Sequence, residues 1–201
     1  MPQPHTRAFF ESLFTQSKDP WHFESRWYEA RKRALTLACL PAARYANAYE
    51  PGCANGELSA AIAERCDNLL ISDGASSAVE IARERVAHLP HVRVRQAWLP
   101  EQWPEELFDL VVISEIGYYL DADGLDALAA KTLAFLRPSG TVLACHWRRP
   151  IEGCLFDGDE VNRRLGERLA LPRLSQVIEP DLRIDVWCAD DRSVGEREGL
   201  A

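Results

Sequence analysis

The chain has 201 residues, of which 47% are hydrophobic and 27% charged, and it carries a formal charge of −8. That length fits one domain with a substantial buried core, and the negative balance argues against a nucleic-acid partner, since phosphate binding needs a basic surface. No run of about 18 apolar residues is present, so no membrane span is expected.

The opening stretch "MPQPHTRAFFESLF" lacks a long apolar segment behind a basic one, so no secretory leader is expected and the cytoplasm is the default compartment. The six cysteines, at 39, 53, 66, 145, 154 and 188, include no C-x-x-C pair. Scattered spacing of this kind predicts buried thiols in a reducing compartment, with no metal site.

Two helical stretches open the chain, at 6–16 and 24–39, divided by the breaker "KDPW". In the second, Trp27, Ala34, Leu37 and Ala38 share one face, and Arg31, Lys32 and Arg33 place charge on the rest. Pro41 ends it. An alternation follows. "YANAYE" (45–50) reads as a strand and "ELSAAIAERC" (57–66) as a helix. "NLLISD" (68–73) is a strand, and "SSAVEIARERVAHL" (76–89) a helix opened by a serine cap. "HVRVRQA" (91–97) alternates as a strand does. "FDLVVISE" (108–115) is nearly continuously apolar, as a central parallel strand covered on both faces should be. "DADGLDALAAKTLAFL" (121–136) is an amphipathic helix stopped by "RPSG"; "TVLACHW" (141–147) is a strand and "GDEVNRRLGERLA" (158–170) a helix. "LSQVIEP" and "LRIDVWCAD" form two closing strands, and the tail at 189–201 is polar and expected to be loose.

Strand–helix repetition of this kind predicts an α/β fold: a parallel sheet with helices on both faces and a closing antiparallel hairpin. Ligands in such sheets lie beyond the carboxyl ends of the strands, where strand order reverses. The residues just after 50, 73, 97, 114 and 147 are therefore the ones to examine.

Between the first strand and its helix stands Glu50-x-Gly52-x-Ala54-x-Gly56. The dinucleotide fingerprint is G-x-G-x-x-G; here the last gap is one residue, and an acid precedes the first glycine. A carboxylate there would repel a pyrophosphate and suit the ammonium of an amino-acid ligand. Glycines allow close approach of a ligand to the backbone. A strand-to-helix turn holding nothing is the alternative. Asp73 ends the second strand and can accept both ribose hydroxyls, or else cap the helix that follows. Together these residues point to an adenosyl-ribose site.

The order E-x-G-x-x-x-G, "LLISD", "FDLVVISE" and "LRPSGTVL" resembles the Rossmann-like S-adenosylmethionine-dependent methyltransferases. "DPWHFESRWYEARKRALTLACLP", "EPGCANGELS", "SEIGYYL", "HWRRPIEG" and "GDEVN" are similar to the nodulation protein S (NodS) family, whose members N-methylate a deacetylated chitooligosaccharide. The resemblance implies S-adenosyl-L-methionine as cofactor and a single methyltransferase domain, with an N-terminal helical lid at 1–43 and a Rossmann-like core at 44–188. It implies that Glu50, Gly52 and Gly56 cradle the methionine part and Asp73 holds the ribose. Ser114, Glu115, Tyr118 and Tyr119 would line the side from which the methyl group leaves. Trp21, Tyr28 and Arg31 would come from the lid, with Arg31 either neutralising the methionine carboxylate or lying on solvated surface. The acceptor would be a small molecule, an amine or an amino sugar of an oligosaccharide.

One departure stands out. Where such methyltransferases have an acid that accepts the adenine amino group, this chain has "QAWLP", with Trp98 in its place. An indole cannot accept that bond. Trp98 would stack on the base or fill its pocket, and backbone groups at Trp98 and Leu99 would read the base edge.

Methyl transfer needs an aligned, unprotonated nucleophile. Orientation can contribute roughly 7–11 kcal/mol, against about 10²–10⁴-fold from a general base. A lysine-like amine of pKa about 10.4 is only about 1 part in 2,500 neutral at pH 7, a penalty of roughly 4.6 kcal/mol. Glu115 and His146 are the candidate proton acceptors, Tyr118 and Tyr119 form an aromatic wall, and Trp103, Trp147 and Trp187 are either sugar platforms or core. Competing classes are a nicotinamide-dependent oxidoreductase, a small-molecule O-methyltransferase, and a binding protein that keeps the fold without the chemistry.

Overall fold

A computed structural model describes residues 6–200 of the chain. Its centre is β4 (Phe108–Ser114), in which Phe108, Leu110, Val111, Val112 and Ile113 are all fully buried. Side chains alternate across a strand. Leu110 and Val112 accordingly join one apolar cluster and Val111 and Ile113 the other. Burying each such side chain contributes about 1.5–3 kcal/mol, so this strand anchors a core on both of its faces.

Around it lie β1 (Ala48–Pro51), β2 (Leu69–Asp73), β3 (Val92–Gln96), β5 (Leu136–Trp147), β6 (Arg173–Ile178) and β7 (Leu182–Cys188), in the order β3-β2-β1-β4-β5-β7-β6. The first five strands in sequence pair in parallel; β7 runs antiparallel to both β5 and β6. This is the Rossmann-like α/β class with the closing hairpin that the sequence predicts. The chain steps outward from β1 to β3, then returns to β4 on the other side of β1. The reversal opens a crevice at the carboxyl ends of β1 and β4.

The helices are α1 (Arg7–Gln16), α2 (Trp27–Ala38), α3 (Glu57–Ala63), α4 (Ser76–Val86), α5 (Ala122–Ala134), α6 (Gly158–Leu169) and α7 (Val194–Arg197). None of those described is long and apolar enough to cross a membrane. All six cysteines are free, and Cys53, Cys66, Cys145 and Cys188 are buried.

Several boundaries differ from the sequence reading. Tyr45 makes only an isolated bridge to Cys66, and the first strand starts at Ala48. The "RPSG" segment does not stop a helix; it lies within β5, and α5 already ends at Ala134. The tail carries α7, closed by a capping box between Ser193 and Glu196.

Two differences bear on the site. The cap position of α4 is Ala75, whose side chain makes no capping bond, not a serine. Glu11 of α1 supplies the cap instead, accepting from Ser76 N–H at 2.7 Å and Ser77 N–H at 3.0 Å. A carboxylate at a helix N-terminus satisfies orphan donors and complements the dipole; here it also ties the N-terminal segment to the core. The second difference is that α2 is inverted relative to its hydrophobic pattern. Its buried residues are Glu29, Lys32 and Thr36, whereas Trp27 is 77% exposed.

Candidate active site

The crevice contains a cavity of about 910 Å³, walled by the carboxyl ends of the central strands and roofed by α1, α2 and the loop between them. At its floor the chain leaves β1 through Gly52, with φ +74°, where a Cβ would collide with Ile116. Gly52 and Cys53 both donate their N–H to the Ser72 carbonyl, at 2.7 and 2.9 Å. This draws the turn onto β2.

Gly56 has φ +79° and a different task. A Cβ there would lie 3.3 Å from Ala82 Cα, so Gly56 faces α4 and does not line the cavity. The two glycines of the motif separate into one at the cavity and one for helix packing.

Glu50 lines the cavity yet is only 2% exposed, and its carboxyl is bonded by the Ser59 hydroxyl at 2.5 Å. Burial pushes its pKa up to about 8, the Ser59 bond offsetting only part of the cost. Asp73 accepts from Ala54 N–H through one oxygen and Ala75 N–H through the other, each at 3.0 Å. Burial raises its pKa too, against those bonds. A carboxylate can accept about four hydrogen bonds, so acceptor capacity remains for a ligand hydroxyl.

The polar stripe of α2 explains its burial. Lys32 Nζ lies 2.8 Å from Glu29 and 2.8 Å from Glu115. Glu115, at φ +58° just beyond β4, also accepts from the Tyr118 hydroxyl at 2.5 Å and from Trp147 N–H at 2.9 Å. Burial alone would push the Glu115 carboxyl up. The Lys32 ammonium, together with the hydrogen bonds from Lys32 and Tyr118, outweighs it and holds the group below its ordinary value. A carboxylate with both oxygens bonded and its basicity lowered is a weak proton acceptor. Sequence reading gave Lys32 to a solvated face and passed over Glu29; charged residues at i and i+3, with a polar Thr36 on the same stripe, were the available signal.

His146 lies outside the cavity wall. It is fully buried, with Nδ1 2.7 Å from the Asn162 side-chain oxygen and Nε2 accepting from Gly117 N–H at 3.1 Å. Both nitrogens are engaged, and burial lowers the pKa, so the ring is neutral and anchors the Gly117–Tyr119 turn. Arg31 also points elsewhere: its guanidinium grips Glu179 with two bonds of 2.6 Å. Trp103 and Trp187 are 5% and 3% exposed and belong to the core, whereas Trp147 lines the cavity beside Tyr28, 5.5 Å between ring centroids.

Trp21, Tyr28, Trp98, Leu99, Ser114, Tyr118 and Tyr119 all line the cavity. Phe10 of α1 does as well, packed edge-on to Tyr119 at 4.9 Å. Among the described residues the wall carries eight carboxyl groups (Glu29, Glu50, Glu57, Asp73, Glu101, Glu115, Asp121, Asp181) against three cations (Arg26, Lys32, Arg33). That balance favours a cationic ligand.

The model of the family described as Nodulation protein S (NodS) matches residues 11–158. The chain belongs to the NodS family. It is 32% identical over 124 residues to the nodulation protein S of Rhizobium tropici, covering 61% of this chain and 52% of that one. It is 29% identical over 126 residues to that of Sinorhizobium fredii, covering 62% and 58%. The chain thus spans only a little over half the length of these NodS relatives. A solved structure from Pseudomonas syringae, named as a candidate methyltransferase, is 53% identical with a TM-score of 0.74, covering 81% of this chain and 99% of that one. The structure of N-methyltransferase NodS from Bradyrhizobium japonicum, in complex with S-adenosyl-L-homocysteine, shares the fold at a TM-score of 0.83 and 23% identity, covering 92% and 98%.

Proposed function

We propose that this chain is an S-adenosylmethionine-dependent methyltransferase that N-methylates a small amine or amino sugar. The observation that carries the reading is the acid-rich cavity at the switch point, with buried Glu50 beside the Gly52 turn and Asp73 at the next strand tip. A sulfonium amino acid with a nucleoside is cationic at two points and carries a vicinal diol, and these residues match each part.

In this reading Glu50, once ionised, pairs with the amino-acid ammonium, and Gly52 lets the backbone come close. Asp73 accepts the ribose hydroxyls. Trp98 and Leu99 wall the base, Ser114 forms the floor, and Trp21 and Tyr28 close over from the lid. Arg26 takes the carboxylate end. It faces the cavity and has no ion pair among the described residues, whereas Arg31 is committed to Glu179. The bound cofactor supplies an electrophilic methyl group.

The chain's own contribution is position and charge. Lys32 fixes the Glu115 carboxylate, which fixes the Tyr118 hydroxyl and the Trp147 backbone; together they hold the acceptor amine by orientation. Tyr28, Tyr119 and Trp147 form the aromatic wall beside it. Since Glu115 is a weak base here, the acceptor enters as the neutral amine, which a less basic sugar amine reaches more readily near neutral pH. The reading includes a cytoplasmic setting and no nucleic-acid partner.

Transfer of labelled methyl from S-adenosylmethionine to a deacetylated chitooligosaccharide, compared with the fully acetylated form, tests the proposal. Label on the free amine alone supports it. Binding without transfer to any amine would favour a non-catalytic member of the fold.

A further inference from the structure

We propose that this chain recognises the purine base of its cofactor by stacking on Trp98, without reading the base's exocyclic amino group, and therefore binds a 6-oxopurine form nearly as well as the adenine form. The inference rests on the methyltransferase reading above.

Trp98 stands at the nucleoside end of the crevice. The residue before it, Ala97, donates its N–H to the Asp73 carbonyl at 2.9 Å, which turns the chain from β3 across the tip of β2. The indole sits against Gly74, where any Cβ would collide with the ring. Gly74 and Trp98 are thus a matched pair, and the ring is held in place. Trp98 lines both the main cavity and a second groove outside it. The Arg7 guanidinium lies over the ring 4.9 Å from its centroid and lines only the outer groove. The indole thus forms part of the cavity wall and also borders the groove that holds Arg7. Phe10, 6.4 Å from the Trp98 centroid, extends the aromatic surface on the cavity wall.

Polar groups for the base edge are scarce here. The Trp98 N–H donates to the Gln102 side chain at 2.7 Å, and the Trp98 carbonyl accepts from Gln102 N–H at 2.9 Å. Leu99 has an apolar side chain and offers only its main-chain N–H and carbonyl, and Pro100 has no N–H. Glu101 is the one carboxylate of this stretch on the cavity wall, and it is exposed, so water competes for any bond it makes. Stacking tolerates any base because every base has a π-face. A buried polar group built to bond the amino group would reject an analogue lacking it by roughly 10⁴–10⁵-fold.

The test is calorimetric titration of the full chain with S-adenosylhomocysteine and with S-inosylhomocysteine, whose base carries a carbonyl in place of the amino group. The expected result is that the two affinities agree within about tenfold. Trp98→Ala should weaken both together by about 5- to 150-fold, the range that stacking supplies, and Trp98→Asp should create a preference for the adenosyl compound. A wild-type preference above tenfold overturns the inference, as does a Trp98→Ala variant that binds both unchanged. If the variants do not fold, the wild-type ratio decides alone. If neither compound binds, the methyltransferase reading fails, and this inference with it.

Discussion

Lys32 of α2 and Glu115 at the tip of β4 form a buried ion pair at 2.8 Å, their side chains 9% and 18% exposed. The pair joins the N-terminal segment to the turn that carries Tyr118. Removing one partner leaves an uncompensated buried charge, which typically costs about 3–5 kcal/mol. Lys32→Met should therefore lower unfolding free energy by that order. Lys32→Met with Glu115→Gln removes both charges of this pair but leaves Glu29 without its partner, so it should recover only part of the loss. Urea denaturation of the four proteins of the cycle measures the coupling, and equal losses in single and double variants would contradict it.

Glu50 predicts a pH dependence of binding. With its pKa pushed up to about 8 by burial, most of the ligand-free protein holds this group protonated at neutral pH. A cationic ligand needs the carboxylate, so binding releases a proton, and affinity should rise by up to about tenfold per unit from pH 6 towards 8. The same shift stabilises the ligand-free fold fully below about pH 4.5, and that contribution is lost as pH rises through about 8. Calorimetry in two buffers of different ionisation enthalpy counts the proton, and Glu50→Gln should abolish its release.

Arg26 and Arg31 should behave differently. Arg31→Ala breaks a partly exposed pair with Glu179 and should leave S-adenosylhomocysteine affinity within about twofold, since such pairs contribute little. Arg26→Ala should weaken it by about 10-fold or more, the order of a charge-assisted hydrogen bond. The reverse ranking in a fluorescence titration would return the carboxylate to Arg31.

His146→Phe should act on stability. It strands Gly117 N–H and the Asn162 side chain, at about 1–3 kcal/mol for each unsatisfied group. Cofactor affinity should change little, because the ring does not reach the cavity. Thermal melts with and without S-adenosylhomocysteine separate the two effects; an intact melt with lost affinity would count against this assignment.

The strand tips were legible from sequence because one physical signal marks them. A short, β-branched apolar run such as "FDLVVIS" reads as a strand covered on both faces, and the acid, glycine or aspartate that ends such a run falls at the crevice. What sequence could not supply was the partner of each charge. Arg31 and Lys32 are adjacent on α2, yet one meets Glu179 on β6's far turn and the other meets Glu115 across 83 residues. Hydrophobic periodicity even pointed the wrong way, since it places Trp27 inside and the Glu29–Lys32–Thr36 stripe outside. A helix that roofs a polar site buries its polar face; the charged i, i+3 pair and Thr36 hint at such a stripe, but the residues it meets lie far away in sequence. The Glu11 cap on α4 was hidden for the same reason, being a contact between elements 65 residues apart.

The central claim is that the crevice holds an adenosyl amino acid. Calorimetric titration of the full chain with S-adenosylhomocysteine, alongside NADH under the same conditions, tests it most directly. The account predicts saturable one-to-one binding of the first and none of the second. No heat from S-adenosylhomocysteine at high micromolar concentration, or saturable binding of NADH instead, would contradict it.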